Sequence, residues 1–148
     1  MASVAILLGS FNGARFLPRQ LRSFETQAFA DWRLVASDDG STDPTTTLLA
    51  QFRDRRGPAK VDIRNGPRQG FVANFLSLAC DRSVTADYYA FSDQDDIWEP
   101  YKLSRALDWL KQMPQTVPAL WCGRTRLIDE DDRDIGYSPL FKRQPSFR

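Results

Sequence analysis

Apolar residues change period several times along the chain. Val4-Ala5-Ile6-Leu7-Leu8 is an unbroken apolar run, the mark of a strand covered on both faces, and Gly9-Ser10-Phe11-Asn12-Gly13 breaks it as a turn. Leu17, Leu21, Phe24 and Ala28 then recur at helical spacing, which predicts a helix from about Ala14 to about Gln27. Trp32 to Ser37 reads as a second strand, ending in Asp38-Asp39-Gly40-Ser41. Thr42-Asp43-Pro44 starts a second helix, with a capping side chain followed by a proline whose missing N–H is harmless in the first turn. Leu48, Leu49 and Phe52 mark its buried face, and Gly57-Pro58 ends it.

Val61 and Ile63 alternate with polar residues, as in a short strand near a sheet edge. Phe71, Val72, Phe75, Leu76 and Ala79 give a third helix. Tyr88 to Phe91 is an apolar run that predicts a short buried strand, and Asp93, Asp95 and Asp96 follow at its carboxyl end. Pro100 opens a fourth helix carrying Leu103, Ala106, Leu107 and Leu110 on one face. Ala119-Leu120-Trp121-Cys122 predicts a fifth strand running on towards Ile128. Such alternation of strand and helix argues for an α/β fold with a mostly parallel sheet and helices on both faces. Residues 129–134 form a charged turn. The tail from Gly136 to Arg148 has Pro139 and Pro145 and little periodicity. Its Leu140, Phe141 and Phe147 lack partners within the pattern, so the chain reads as one cut off before its fold is finished.

Composition narrows the function classes. The 148 residues suffice for one α/β domain with a core, and a net charge of +1 gives no electrostatic case for nucleic acid. There is no histidine, so His-based metal sites and Ser-His or Cys-His catalysis are excluded within this chain. Cys80 and Cys122 are isolated, which fits a reduced cytosolic setting with both in the core. The first apolar run has no basic flank or cleavage segment, so it reads as neither a signal peptide nor a membrane span.

The candidate chemistry lies at strand ends. In a parallel sheet, the ends carrying Gly9 to Asn12, Asp38-Asp39 and Asp93-Asp95-Asp96 face one way and converge on one cleft. Carboxylates this close repel unless a cation sits among them or they spread into water. A divalent cation held by carboxylate oxygens, with phosphates completing its shell, fits that need. Phe11 offers a ring face for a base, Asp39 an acceptor for a base or ribose donor, and Asp95 a cation ligand beside two phosphates. Alone, Asp93-Gln94-Asp95-Asp96 also reads as a helix N-terminus, and Asp38-Asp39-Gly40-Ser41 as a turn with a cap. Trp98 reads as a ring closing the base of the acidic loop. Gly70 reads as a close approach before the third helix, and Asn74 as a cap or a ligand contact. Lys102 is expected to pair with Glu99 or Asp96.

In this order and spacing the motifs resemble those of the nucleotide-binding half of family-2 inverting glycosyltransferases, which have the Rossmann-like GT-A fold. The resemblance rests on Val4 to Asn12, on Ser37-Asp38-Asp39-Gly40-Ser41-Thr42-Asp43, on Gly70 with Asn74, and on Phe91 to Trp98 followed by Pro100 and Lys102-Leu103. It implies a nucleotide-sugar-binding domain over residues 1–128, and a turn and tail over 129–148 leading to an acceptor-binding half. It implies nucleotide contacts from Gly9, Phe11, Asn12, Asp38, Asp39, Gly70 and Asp93. Asp39 would bind the nucleobase, Asp38 would support that turn, and Phe11 would pack against the base. Asp93-Gln94-Asp95 would be the metal motif, with Asp95 the direct ligand of Mn²⁺ or Mg²⁺ and Asp93 near the ribose or sugar. The metal would stabilise the leaving nucleoside diphosphate.

The form Ser-Asp-Gln-Asp-Asp-Ile-Trp is most similar to rhamnosyltransferase-type members that build cell-surface polysaccharide. The implied donor is a dTDP- or UDP-sugar and the implied acceptor a glycan or a lipid-linked saccharide. The implied location is cytoplasmic, including peripheral association with the cytoplasmic face of a membrane. Gly9 and Phe11 stand where the family often has a hydroxyl residue and Tyr. No residue matches the family's catalytic base, so the chain is expected to bind donor and metal without transferring sugar. Two alternatives stay open at this point: a non-catalytic nucleotide-sugar-binding module, and a receiver-type phosphoacceptor domain. The receiver reading wants an acid pair after the first strand, where Gly-Ser-Phe-Asn stands instead.

Overall fold

The computed structural model describes residues 2–114 and 116–143. The chain divides into two compact units, residues 1–104 and 105–148. The first holds β1 (Val4–Ser10), α1 (Leu17–Glu25), β2 (Trp32–Asp38), α2 (Thr45–Arg56), β3 (Val61–Asn65), α3 (Phe71–Ala79) and β4 (Tyr88–Ser92). Its four strands form one parallel sheet in the order β3-β2-β1-β4.

Every residue of β1 is buried, as its unbroken apolar run requires of a central strand. Strand alternation sends Ala5, Leu7 and Val35 to one face, where they pack with Leu78 of α3 and Val84. Ile6, Leu8 and Leu34 take the opposite face and are buried, as are Leu17, Leu21 and Phe24 of α1 and Leu49 and Phe52 of α2. Phe24 meets the Trp98 ring edge-on at 5.0 Å between centroids, so Trp98 is a core ring below the acidic loop.

α1 starts three residues later than its periodicity suggests. The Phe16 and Leu17 N–H groups both donate to the Gly13 carbonyl, which makes a turn of the residues before it, and Pro18 falls in its first turn. α2 starts after Pro44, where the Asp43 carboxylate accepts the Thr45 N–H at 3.0 Å.

Several expectations fail here. β4 is an edge strand, and only Ser92 in it is fully buried; Tyr89 and Phe91 stay exposed because the face they share with α3 is only partly covered. On α3 the apolar residues Phe71, Val72 and Leu76 are exposed while polar Asn74 is buried. Cys80 and Cys122 are both exposed thiols rather than core residues. Cys80 caps the end of α3 on its open side, and Cys122 lies in a segment without regular structure.

The predicted strand at 119–122 does not form. α4 (Lys102–Leu110) runs across the division between the units, with Leu103 and Leu107 buried. In the second unit the strand begins only at β5 (Arg126–Ile128), which pairs antiparallel with β6 (Asp134–Tyr137). The charged turn joins them: Asp129 accepts the N–H groups of Asp131 and Arg133, each at 2.9 Å. β6 gives regular structure to a tail that showed little periodicity. Leu140 and Phe141 are exposed, and Phe147 and Pro145 lie outside the described residues.

Candidate functional site

The register fixes where the site must be. Ser10 of β1 stands level with Asp38 of β2, and Leu8 level with Ser92 of β4. Residues just past these positions therefore meet at one edge of the sheet. The chain leaves β1 towards β2 and β3, then crosses back to β4 on the other side of β1. That reversal is the switch point at which open α/β sheets bind ligands.

A cavity of about 590 Å³ lies there, within the first unit and in the size range of small-molecule sites. Gly9, Ser10 and Phe11 line it from the end of β1, Asp39 from β2, and Asp93, Gln94 and Asp95 from β4. Arg68, Gly70, Phe71, Asn74 and Phe75 close it from the loop and first turns of α3. Phe11 is 54% exposed, so its ring is a free face rather than part of the core.

The two adjacent acids after β2 have different surroundings. Asp38 is saturated: it accepts the Ser41 hydroxyl at 2.6 Å, the Ser41 N–H at 2.8 Å, the Ser10 hydroxyl at 3.1 Å and the Gly40 N–H at 3.2 Å. It holds the turn and does not line the cavity. Asp39 lines the cavity and accepts the Arg68 N–H at 2.6 Å and the Gly70 N–H at 2.8 Å, one on each oxygen. Each oxygen keeps a further lone pair for a ligand.

Asn12 lies outside the cavity lining. Its amide oxygen accepts the Thr42 N–H at 2.8 Å, and its own N–H donates to the Ser41 hydroxyl at 2.8 Å. With Gly13 N–H on Thr45 Oγ1 and Ala14 N–H on Asp43, the loop after β1 is stitched to the loop after β2.

Gly70 needs to be glycine for a reason other than close approach. Its φ is +90°, a left-handed conformation, and nothing lies within 4 Å of where a Cβ would stand. The close approach is at Gly66, where a Cβ would sit 2.6 Å from Asn74 Oδ1 and 2.9 Å from Asp39 Oδ1. Asn74 makes no side-chain cap on α3: its amide donates to the Ser37 carbonyl and accepts the Ser37 hydroxyl, and the residue lines the cavity.

The acidic loop is electrostatically loaded. Partial burial, then the charges of Asp96 and Asp95, push the Asp93 carboxyl above the usual carboxylate range. Asp96 is raised by burial and by Asp95, with Lys102 pulling the other way. Burial lowers the Lys102 ammonium, which stands 5.1 Å from the Trp98 ring centre; the Asp96 charge opposes that shift.

Among the described residues no cluster of three or more His, Cys, Asp or Glu is arranged to hold a metal ion unaided. Asp93 and Asp95 on one cavity wall do fit a hard divalent cation that takes its remaining oxygens from water and phosphate.

Arg68 escaped the sequence reading, which gave Gln94 no role of its own beyond its place in the acidic motif. Arg68 is the one cationic side chain among those that line the cavity, and its stem lies across Gly40. Gln94 pairs with the Phe11 backbone, accepting its N–H at 2.9 Å and donating to its carbonyl at 3.0 Å. No pattern marks Arg68 beyond its place between two glycines. Gln94 could have been flagged as an uncharged residue fixed between two acids.

The chain matches the sequence family described as Glycosyl transferase family 2 over residues 5–143. It is 34% identical over 106 residues to the dTDP-rhamnosyl transferase RfbG of Shigella flexneri, an alignment covering 70% of this chain and 36% of the relative. It is 30% identical over 109 residues to the uncharacterized glycosyltransferase alr2836 of Nostoc sp., covering 71% of this chain and 32% of the relative. Among solved structures it resembles the mannosyltransferase PcManGT from Pyrobaculum calidifontis in complex with GDP-Man and Mn²⁺. That likeness has a TM-score of 0.65 at 21% identity and covers 74% of this chain and 32% of that one. The chain spans about a third of the length of the curated relatives it matches. Among the described residues no helix is long and apolar enough to cross a membrane.

Proposed function

The chain belongs to glycosyltransferase family 2 and has the GT-A fold, and from that premise we propose that its cavity is the nucleotide-sugar donor site of a metal-dependent glycosyltransferase. One observation carries the reading: Phe11, Asp39, Asp93 and Asp95, from the ends of three different strands, line a single cavity.

In this reading Phe11 stacks on the nucleobase and Asp39 accepts its N–H. Gly9 offers its backbone to the nucleotide at the end of β1, where the Phe75 ring takes the space a Cβ would fill, and the N–H groups of Arg68 and Gly70 hold Asp39 in place. Asp38 and Asn12 act through the backbone, by holding the turn and the loop that present Asp39 and Phe11. Asp95 is the direct ligand of Mn²⁺ or Mg²⁺, and Asp93 lies beside it towards the ribose or sugar. When bound, the cation supplies charge to the leaving diphosphate.

The donor is a dTDP- or UDP-sugar, the acceptor a glycan or lipid-linked saccharide, and the site of action the cytoplasm, including the cytoplasmic face of a membrane. Similarity to a relative described as a dTDP-rhamnosyl transferase favours a rhamnosyl donor and a role in cell-surface polysaccharide. The test is a thermal shift of the purified chain against UDP, dTDP, GDP and CDP, each with and without Mn²⁺. A ligand that binds only the folded state raises its melting temperature. Stabilisation by UDP or dTDP that needs Mn²⁺ supports the reading. No shift with any nucleotide would refute it.

A further inference from the structure

The loops after β1 and β4 are joined by a pair of hydrogen bonds that charge patterning does not announce. Gln94 stands between two of the carboxylates that line the cavity, Asp93 and Asp95. Its side-chain amide takes both polar backbone groups of Phe11, the N–H at 2.9 Å and the carbonyl at 3.0 Å. This is the two-way exchange of an antiparallel hydrogen-bonded pair, made here by a side chain between two parallel strands. The pairing of β1 with β4 stops at Leu8 and Ser92, so the amide bridges the two segments where their backbones have parted. Gly13 leaves the space the amide fills: a Cβ there would overlap the Gln94 carboxamide.

We propose that Gln94 is a positioning residue that couples cation binding at Asp93 and Asp95 to nucleobase binding on Phe11. The proposal rests on the donor-site reading above. A cation that orders residues 93–95 orders Gln94 with them, and Gln94 fixes the backbone from which the Phe11 ring projects. Part of the entropy lost in ordering the Phe11 loop then accompanies cation binding, and the base binds tighter for it. Linkage makes the effect reciprocal: base binding tightens the cation by the same factor.

Nucleosides provide the test, because uridine and thymidine carry no phosphate to bind the cation. Comparison of the unaltered chain with Gln94→Ala separates coupling carried by the protein from any direct contact between the ribose hydroxyls and the cation. Titrations of the purified chain followed by NMR, with and without Mg²⁺, should show Mg²⁺ tightening nucleoside binding by about fivefold, at the low end of couplings between sites. Mg²⁺ alone should slow exchange of the Phe11 amide hydrogen. In Gln94→Ala both effects should vanish, while UDP with Mg²⁺ still binds, more weakly. Gly13→Ala keeps Gln94 and breaks only its seating, and it should lose the coupling in the same way. Should Gln94→Ala not fold, Gly13→Ala and amide exchange in the unaltered chain carry the decision.

Two results would overturn the proposal: UDP with Mg²⁺ binding while nucleoside affinity ignores Mg²⁺, or Gln94→Ala retaining the full coupling. A chain that binds no nucleotide with Mg²⁺ or Mn²⁺ would instead overturn the donor-site reading, and this proposal with it.

Discussion

Ser37 and Asn74 exchange two hydrogen bonds beneath the site: the Ser37 hydroxyl donates to Asn74 Oδ1 at 2.5 Å, and Asn74 Nδ2 donates to the Ser37 carbonyl at 2.9 Å. Asn74 is 2% exposed. A polar residue at a buried helix position thus pins α3 to the last turnless stretch of β2, just before Asp38 and Asp39. Gly66 packs against the same amide, so the three segments form one support for the Asp39 carboxylate.

Asn74→Ala removes both bonds and leaves the Ser37 hydroxyl and carbonyl buried without that partner. The expected loss is about 2–3 kcal/mol of folding stability, read by urea unfolding. A loss under about 0.5 kcal/mol would mean that water replaces the amide and that the pin has little energetic weight.

The proposed cation site in the acidic loop should come at the expense of stability. Asp95 raises the carboxyls of both Asp93 and Asp96, so its charge works against the unliganded fold. Asp95→Asn should therefore melt slightly higher than the unaltered chain at neutral pH without metal, on the order of 1 °C for side chains this exposed. The same variant should lose the Mn²⁺-dependent shift with UDP or dTDP. An Mn²⁺ shift of unaltered size in Asp95→Asn would remove Asp95 from the cation site.

A pH dependence follows from the same pair of shifts. Asp93 and Asp96 keep their protons to higher pH in the folded chain than in the unfolded one. Their contribution favours the fold below the carboxylate range and declines as pH rises through it, because the unfolded state releases its protons first. A cation at Asp93 and Asp95 competes with those protons. Mn²⁺ with UDP should thus raise the melting temperature more at about pH 7.5 than at about pH 5. Titration of the nucleotide's own phosphate would act in the same direction. Asp96→Asn separates the two: it removes one of the charges that raise Asp93 and should move the onset of Mn²⁺ stabilisation to lower pH. An onset that stays in place would assign the pH dependence to the nucleotide.

How much could be read from sequence depended on what set each feature. The central strand and the flanking helices were legible because burial on both sides leaves an unbroken apolar run in Val4 to Leu8 and a helical period from Leu17 to Phe24. The convergence of strand ends followed from parallel topology alone. β4 misled because Tyr89 and Phe91 are apolar yet lie on the open side of an edge strand, and sequence period does not report sheet order. The 119–122 run misled similarly: Leu120 is exposed and Trp121 only half-buried, and the strand forms only where β6 supplies a partner. In the site, charge drew attention to Asp39, Asp93 and Asp95. Gly66 and Arg68 act through geometry between distant loops, which leaves no local pattern, and Gln94 is marked only by its place between two acids.

Arg68 offers the last test, because it opposes the charge of the other ionisable groups on the cavity wall. Three carboxylates, those of Asp39, Asp93 and Asp95, line the cavity together with this one guanidinium. Its N–H is anchored on Asp39 at 2.6 Å, and its backbone takes a left-handed φ of 59° that aligns the stem across Gly40. A nucleoside diphosphate brings more negative charge into this cavity, and two carboxylate-bound cation charges do not offset all of it. Arg68 supplies a further positive charge with directed N–H donors. Arg68→Ala should weaken UDP or dTDP binding in the presence of Mn²⁺ by about tenfold, which corresponds to about 1.4 kcal/mol. The penalty should shrink as ionic strength rises, since a partly open site is screened by salt. Arg68→Lys should recover part of the affinity through its charge while lacking the planar fork. Binding within about twofold of the unaltered chain in Arg68→Ala would show that the guanidinium points past the nucleotide, and that the cation alone balances the diphosphate.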